Sequence, residues 1–200
     1  STKSVVLRGH IGDNPTALQL TFFADADFAG CQETARSTSG VFLALTGPRS
    51  FFPRSCLSKR QSCVSHSTRE AELVAANAAV RLFGAPAQEL WETVLSRVVR
   101  LELREDNSAC IQIIRTGKGP ARRHVGRTHR VQTKWLHEVF TRADSHCVLT
   151  YQETRGQAAD IFTKPFVDGE KWCHACSLIG LHGLSPPPPK RRTAAKQGGA

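Results

Sequence analysis

Hydrophobic and polar positions alternate early in the chain. Leu18, Leu20, Phe22 and Ala24 are separated by Gln19, Thr21 and Phe23. That period of two predicts a strand ending at Asp25. Val41-Phe42-Leu43-Ala44-Leu45 predicts a second, short apolar strand. Gly47-Pro48 then turns the chain into a third, near Phe51-Phe52 or Ser55-Cys56-Leu57. Pro53 has no N–H to give to a ladder, so the third strand is expected to be irregular or at an edge. Beyond it the period changes. Ser67-Thr68-Arg69-Glu70 reads as a capping box. Ala71, Val74, Ala75, Ala78 and Leu82 recur at helical spacing and predict a buried stripe, with Arg69 and Glu72 off it. Gly84-Ala85-Pro86 is expected to break that helix, and another starts at Pro86 and runs to about Leu95.

Val99, Leu101 and Leu103 alternate with Arg100, Glu102 and Arg104, predicting a strand that delivers Asp106 at its end. A short helix over 108–114 follows, then a basic, Gly-rich loop over 117–126. A helix from Val131 to about Arg142, a strand over 147–151 and a last helix starting near Gln157 complete the pattern. Hairpin strands followed by strand–helix alternation predict an α/β fold, a mixed sheet with helices packed on it. The 200 residues divide into a connector (1–15), one domain (16–182) and a disordered Pro-rich basic tail (183–200). The connector is expected to lead from an upstream part of a longer chain, because the sequence contains no Met at all.

Charge and thiols narrow the class. The formal net charge is +10, which points to a polyanionic partner, nucleic acid first. Seven cysteines at scattered spacing show no disulfide framework, so an intracellular location, cytoplasmic or nuclear rather than secreted, is expected. No stretch is long and apolar enough to cross a membrane. Cys173-His174-Ala175-Cys176 has CxxC spacing but no matching second pair, so buried thiols are the better reading than zinc. Trp135 and Trp172 read as core residues.

Four acidic residues sit where strands end or helices begin: Asp25, Glu72, Asp106 and Asp160. Gathered together, their charges repel and their pKa values rise unless a cation is present. Hard divalent cations take oxygen ligands, and Mg2+ commonly sits between carboxylates and substrate phosphates. This is the layout of a metal-dependent site for cutting phosphodiesters. Asp27 is a nearby alternative to Asp25, and Glu70 serves the capping box better than it serves a metal. Taken alone, Asp106 is better explained as a helix cap, and Asp160 as a first-turn residue favoured by the helix dipole; in company with the other acids that explanation weakens.

The motifs around these residues resemble the ribonuclease H domain of copia-type LTR retrotransposon Pol polyproteins. Phe23-Ala24-Asp25-Ala26-Asp27-Phe28-Ala29-Gly30 is similar to the family's opening SDADWAG. Arg36-Ser37-Thr38-Ser39-Gly40-Val41-Phe42 and Ser58-Lys59-Arg60-Gln61-Ser62-Cys63-Val64 match its next two blocks. Ser67 to Ala75, Glu105-Asp106-Asn107-Ser108-Ala109 and Ala159-Asp160-Ile161-Phe162-Thr163-Lys164-Pro165 match the remaining three, in the family's order. The resemblance implies an RNase H-like fold with a mixed five-stranded sheet flanked by helices. It implies endonucleolytic hydrolysis of the RNA strand of RNA–DNA hybrids during reverse transcription, beside the upstream reverse transcriptase domain of the same polyprotein.

Residue by residue, the resemblance places the metal-binding, catalytic carboxylates on Asp25, Glu72, Asp106 and Asp160. Two Mg2+ ions, with Mn2+ as the alternative, would lie roughly 4 Å apart. Asp25 would bridge them, Glu72 and Asp106 would hold the ion at the leaving group, and Asp160 the ion with the attacking water. Lys59, Arg60, Arg122, Arg123 and Lys134 are expected phosphate contacts, and an A-like duplex offers its backbone and 2′-hydroxyls. The sequence departs from the family in two places. Thr128-His129-Arg130-Val131 exchanges the histidine and the basic residue, which leaves His124, His129 and His137 without an assigned role. Glu105 replaces Tyr or Cys and adds negative charge beside the site. These departures keep open a second reading, a catalytically inactive nucleic-acid-binding remnant. The Pro188-to-Lys196 tail reads equally as a nuclear signal, a nucleic-acid arm or a solvated tail.

Overall fold

A computed structural model of the chain describes residues 5–119, 126–129 and 131–183. After β1 (Val6–Leu7) come β2 (Gln19–Asp27), β3 (Thr38–Gly47) and β4 (Ser50–Arg60). Helix α1 (Thr68–Ala78) runs through a π-helical turn (Ala79–Gly84) into α2 (Ala85–Leu95). Then follow β5 (Leu101–Glu105), α3 (Ser108–Thr116), α4 (Thr133–Thr141), β6 (Cys147–Tyr151), a 3-10 turn (Ala158–Phe162), α5 (Gly169–Leu178) and β7 (Leu181–His182). The main sheet has the order β4-β3-β2-β5-β6. β2 is antiparallel to β3 and β3 to β4, while β2–β5 and β5–β6 are parallel. This is the mixed five-stranded sheet that the resemblance implies, with helices packed against it.

β2 is the central strand and its period of two sorts the two cores. Leu20, Phe22, Ala24 and Ala26 join the larger core, with residues of α1, α3 and α4. Phe23 joins a smaller core on the other face with Phe42, Ala44, Ala158, Ala159 and Ile179. The strand does not stop at Asp25 as its pattern predicts. Pairing with β3 continues to Asp27 opposite Thr38, and the Asp27 carboxylate accepts the Thr38 N–H. Likewise Ser50–Arg60 is one strand through Pro53. It is an edge strand, and a bulge sets Leu43 against Ser55 but Ala44 against Pro53, leaving Arg54 unpaired. The Arg54 guanidinium lies over Phe52 and Trp91, at 5.6 and 5.4 Å from the ring centroids.

The α1 stripe is rotated from its predicted face. Ala71, Leu73, Ala75, Ala76, Ala79 and Val80 are buried, together with Glu70 and Glu72, whereas Leu82 is 51% exposed. Small alanines let the helix lie close on the sheet, so packing rather than side-chain size chose the inward face. Nor does Gly84-Ala85-Pro86 end the helical run. The π turn takes it up, with the Ala85 N–H bonded to the Val80 carbonyl, and Pro86 falls in the first turn of α2, where a missing N–H costs little. The helix expected near Gln157 is only the 3-10 turn, and the longer helix of this region is α5, begun by the Asp168 cap on the Glu170 N–H. Residues 5–15, expected as a connector, are tied to the body. β1 pairs with β7, His10 pairs with Phe51, and the Asp13 carboxylate accepts from the Arg49 N–H and the Ser50 hydroxyl.

Candidate metal centre

Three of the four predicted carboxylates converge. One oxygen each of Asp25, Glu72 and Asp106 lies within 4.8 Å of the others. The sheet order explains this. β2 and β5 are parallel neighbours, so Asp25 near the end of β2 and Asp106 just past β5 emerge at the same edge. α1 starts at that edge after the β4 turn and carries Glu72 in from its second turn. Asp106 is not a helix cap: Asn107 caps α3, its Oδ1 accepting the Cys110 N–H at 3.0 Å. Asp27 is engaged with the β3 backbone, and Glu70 with the α1 start. The Ser67 hydroxyl accepts the Glu70 N–H, and the Glu70 carboxylate reaches back to the His66 N–H at 3.0 Å, one residue before the cap.

Asp160 approaches the cluster from the smaller-core side. Gln157, fully buried, donates its Nε2 to the Ala24 carbonyl at 3.0 Å and accepts the Ala159 N–H at 3.3 Å, fixing the turn against β2. Gly40, paired with Asp25, makes room for it. A Cβ on Gly40 would stand 2.7 Å from Thr163 Cγ2 and 2.8 Å from the Ala159 carbonyl oxygen. The turn then presents two groups to Asp25. The Thr163 hydroxyl donates to Asp25 Oδ2. The Lys164 ammonium donates to Asp160 Oδ1 at 2.7 Å and stands 3.3 Å from Asp25 Oδ1. Thr163 and Lys164 were not singled out from the sequence, although they lie in the last quoted motif. A lysine four residues after an aspartate reads as an ordinary helical ion pair until the fold brings Asp25 beside it.

The electrostatics are those of crowded anions. Burial first, then the charges of Asp25 and Asp106, push Glu72 up to about 9. Burial also raises Asp160 to about 6, against the opposing Lys164 hydrogen bond. Lys164 loses by burial, but its bond to Asp160 and the charge of Asp25 more than compensate and hold it above the usual lysine range. Glu105 is a fifth carboxylate beside the site. It is fully buried, and burial followed by the charge of Glu72 pushes it well above the carboxylate range. Its Oε1 accepts the Asn107 N–H at 3.2 Å. Among the described residues Glu72 Oε2 is buried without a hydrogen-bond partner. An orphaned buried oxygen among converging carboxylates fits a hard divalent cation, which takes all-oxygen ligands.

No family model matches the sequence. Solved structures of similar shape include RNase H1 from the halophilic archaeon Halobacterium salinarum NRC-1, at 15% identity over 72% of this chain and 94% of that one, with a TM-score of 0.48. LC11-RNase H1, isolated from compost by a metagenomic approach, is similar at 13% identity over 72% and 92%, also with a TM-score of 0.48. The foamy viral protease-reverse transcriptase in complex with dsDNA is similar at 13% identity over 74% and 91%, with a TM-score of 0.41.

The expected phosphate contacts divide. Lys59 and Arg60 end β4, exposed, paired with Ser39 and Thr38. Ser58, Gly40 and Asp25 form one row across the sheet, so both basic residues stand just beyond the level of the carboxylates. Lys134 is exposed on α4 and pairs with Glu138 at 3.6 Å. Arg122, Arg123 and His124 lie outside the described residues, as does the basic tail from residue 184. Of the three histidines left without a role, the two that lie in described residues, His129 and His137, stand in other networks. His129 Nε2 is 3.4 Å from Glu70 Oε1, both side chains fully buried, and 3.5 Å from the Ser65 hydroxyl. His137 Nδ1 meets the Ile114 carbonyl at 2.9 Å and joins α4 to α3.

Proposed function

We propose that this chain is the ribonuclease H domain of a copia-type Pol polyprotein, cutting the RNA strand of RNA–DNA hybrids with divalent cations. The convergence of Asp25, Glu72 and Asp106 within 4.8 Å carries this reading. Six motif blocks in the family's order support the retrotransposon origin, and with it a reverse transcriptase domain as neighbour. Bound at this centre, Mg2+ or Mn2+ would polarise the scissile phosphate and supply an activated water. The chain's own residues set the geometry around that chemistry. Asp25, central to the sheet, is available to both halves of the site. Glu72 and Asp106 complete one half, and Asp160 stands on the other. Lys59 and Arg60 offer charge to the hybrid's phosphates beside the row that holds Asp25. The net charge of +10 favours the same polyanion.

The deciding experiment is cleavage of a labelled RNA–DNA hybrid in Mg2+ or Mn2+, with Asp106→Asn as control. Loss of a ligand should lower cleavage by about 100-fold or more, since even outer-shell partners of a metal site cost 10- to 100-fold. One observation favours the inactive alternative: Glu105, where the family has Tyr or Cys, is buried against Glu72 and Asp106. Hybrid binding without cleavage by the folded wild-type domain, with a reverse transcriptase partner added, would decide for that reading.

A further inference from the structure

We infer that Lys164 is a resident counter-cation of the carboxylate site, and that divalent cations must therefore fill the site in order. The first binds at Asp25, Glu72 and Asp106, and a second enters at Asp25 and Asp160 only by displacing the Lys164 ammonium. The inference rests on the metal-centre reading above. Its ground is geometric. Lys164 Nζ lies 2.7 Å from Asp160 Oδ1 and 3.3 Å from Asp25 Oδ1, so it spans two carboxylates that come from opposite ends of the chain. Asp25 and Asp160 are almost desolvated, their side chains 2% and 15% exposed.

The ammonium is placed by more than side-chain flexibility. The Lys164 N–H bonds to the Asp160 carbonyl at 2.9 Å, closing the turn that carries both residues. The Thr163 hydroxyl engages the other Asp25 oxygen. Asp25 Oδ2 is thus committed to a neutral donor and Oδ1 to a charged one, on the side facing Asp160. A Mg2+ ion on Asp25 Oδ1 and Asp160 Oδ1 would need both oxygens at about 2.0–2.1 Å. An ammonium already within hydrogen-bonding reach of them cannot stay there, for reasons of space and of like charge. Glu72 and Asp106 have no ion pair with Lys164 among the described residues, so an ion held by them displaces no cation. Lys164 is accordingly a positioning residue. It holds Asp160 against Asp25 before metal arrives and sets the threshold for the second ion.

The test is Mn2+ binding to the whole chain at neutral pH, by titration calorimetry and by the EPR signal of free Mn2+. Wild type should show one tight ion and a second weaker by at least about tenfold, a low figure for expelling a unit charge from within about 4 Å. Lys164→Gln should tighten the second site about tenfold or more and the first by less, while Lys164→Arg, which keeps the charge, should keep the second site weak. Asp160→Asn should keep the tight ion and lose the weak one. Two equal sites in wild type, or a second site indifferent to Lys164→Gln, would overturn the inference even if cleavage is normal. So would loss of the first site in Lys164→Gln. Should that variant not fold, the wild-type isotherm and Asp160→Asn decide. A wild-type chain that binds no Mn2+ at all would instead sink the metal-centre reading itself.

Discussion

Replacing Glu72 by Gln should make the metal-free protein more stable at neutral and alkaline pH while destroying its metal site. Glu72 is 4% exposed, and burial with the charges of Asp25 and Asp106 raises its pKa from 4.5 to about 9. The folded state therefore holds a proton that the unfolded state releases above pH 4.5. Stability falls with pH wherever the folded state binds more protons, so the loss accumulates between pH 4.5 and about 9. Each pH unit in that window is worth about 1.4 kcal/mol. Full linkage would put the cost at pH 7.5 at roughly 4 kcal/mol, and sharing of the proton with neighbouring carboxylates lowers it to roughly 2 kcal/mol. Gln imitates the protonated carboxyl in shape and removes the ionisation. Urea unfolding in EDTA, from pH 5.5 to 8.5, is the assay. Wild type should weaken steadily across the range, and Glu72→Gln should lessen that slope, the remainder belonging to buried Glu105, and gain roughly 2 kcal/mol at pH 7.5. Added Mg2+ should restore wild type and leave the variant unmoved. A variant as pH-sensitive as wild type, or one less stable at pH 7.5, would refute the claim that Glu72 is a crowded, proton-holding member of the site.

Three further substitutions test how the scaffold presents the carboxylates. Gly40→Ala drives a Cβ to within 2.7–2.8 Å of Thr163 and Ala159; it should cost about 1–3 kcal/mol and lower hybrid cleavage, read by thermal melts beside the cleavage assay. Gln157→Ala removes the 3.0 Å bond to the Ala24 carbonyl and the 3.3 Å bond from the Ala159 N–H. It should destabilise by about 1–3 kcal/mol in urea and weaken the second Mn2+ more than the first. Phe22→Ala, from a side chain with no exposed surface in the larger core, should cost about 3–5 kcal/mol in the same unfolding assay.

The sheet was legible in the sequence because its strands carry the period that burial imposes. Leu20, Phe22 and Ala24 face one core and Phe23 the other, as their alternation requires. Pro53 was correctly restricted to an irregular edge strand, since a central strand would need its N–H. The helices were read less well where burial did not follow size. α1 turns alanines inward and leaves Leu82 out, so a pattern weighted towards large apolar residues picks the wrong stripe. The continuation through Gly84-Ala85-Pro86 was hidden for a similar reason. A π turn places Pro86 in the first turn of the next helix, and nothing local in the sequence marks a π turn.

The site was legible to the extent that its residues lie at strand ends and helix starts, where charged side chains need a reason to be buried. Asp25 and Glu72 are nearly inaccessible acids, and Glu72 keeps an oxygen with no hydrogen-bond partner among the described residues. Ordinary packing does not retain such groups, because an unpaired buried carboxylate costs several kcal/mol. The partners of these acids were not legible. Lys164 is 139 residues from Asp25, and only the register that sets Gly40 beside Asp25 lets the Thr163–Lys164 turn close over it. A side chain as small as a methyl at Gly40 would push that turn away. The ammonium and the missing Cβ are thus one device: the glycine admits the turn, and the turn brings the cation that the crowded carboxylates require.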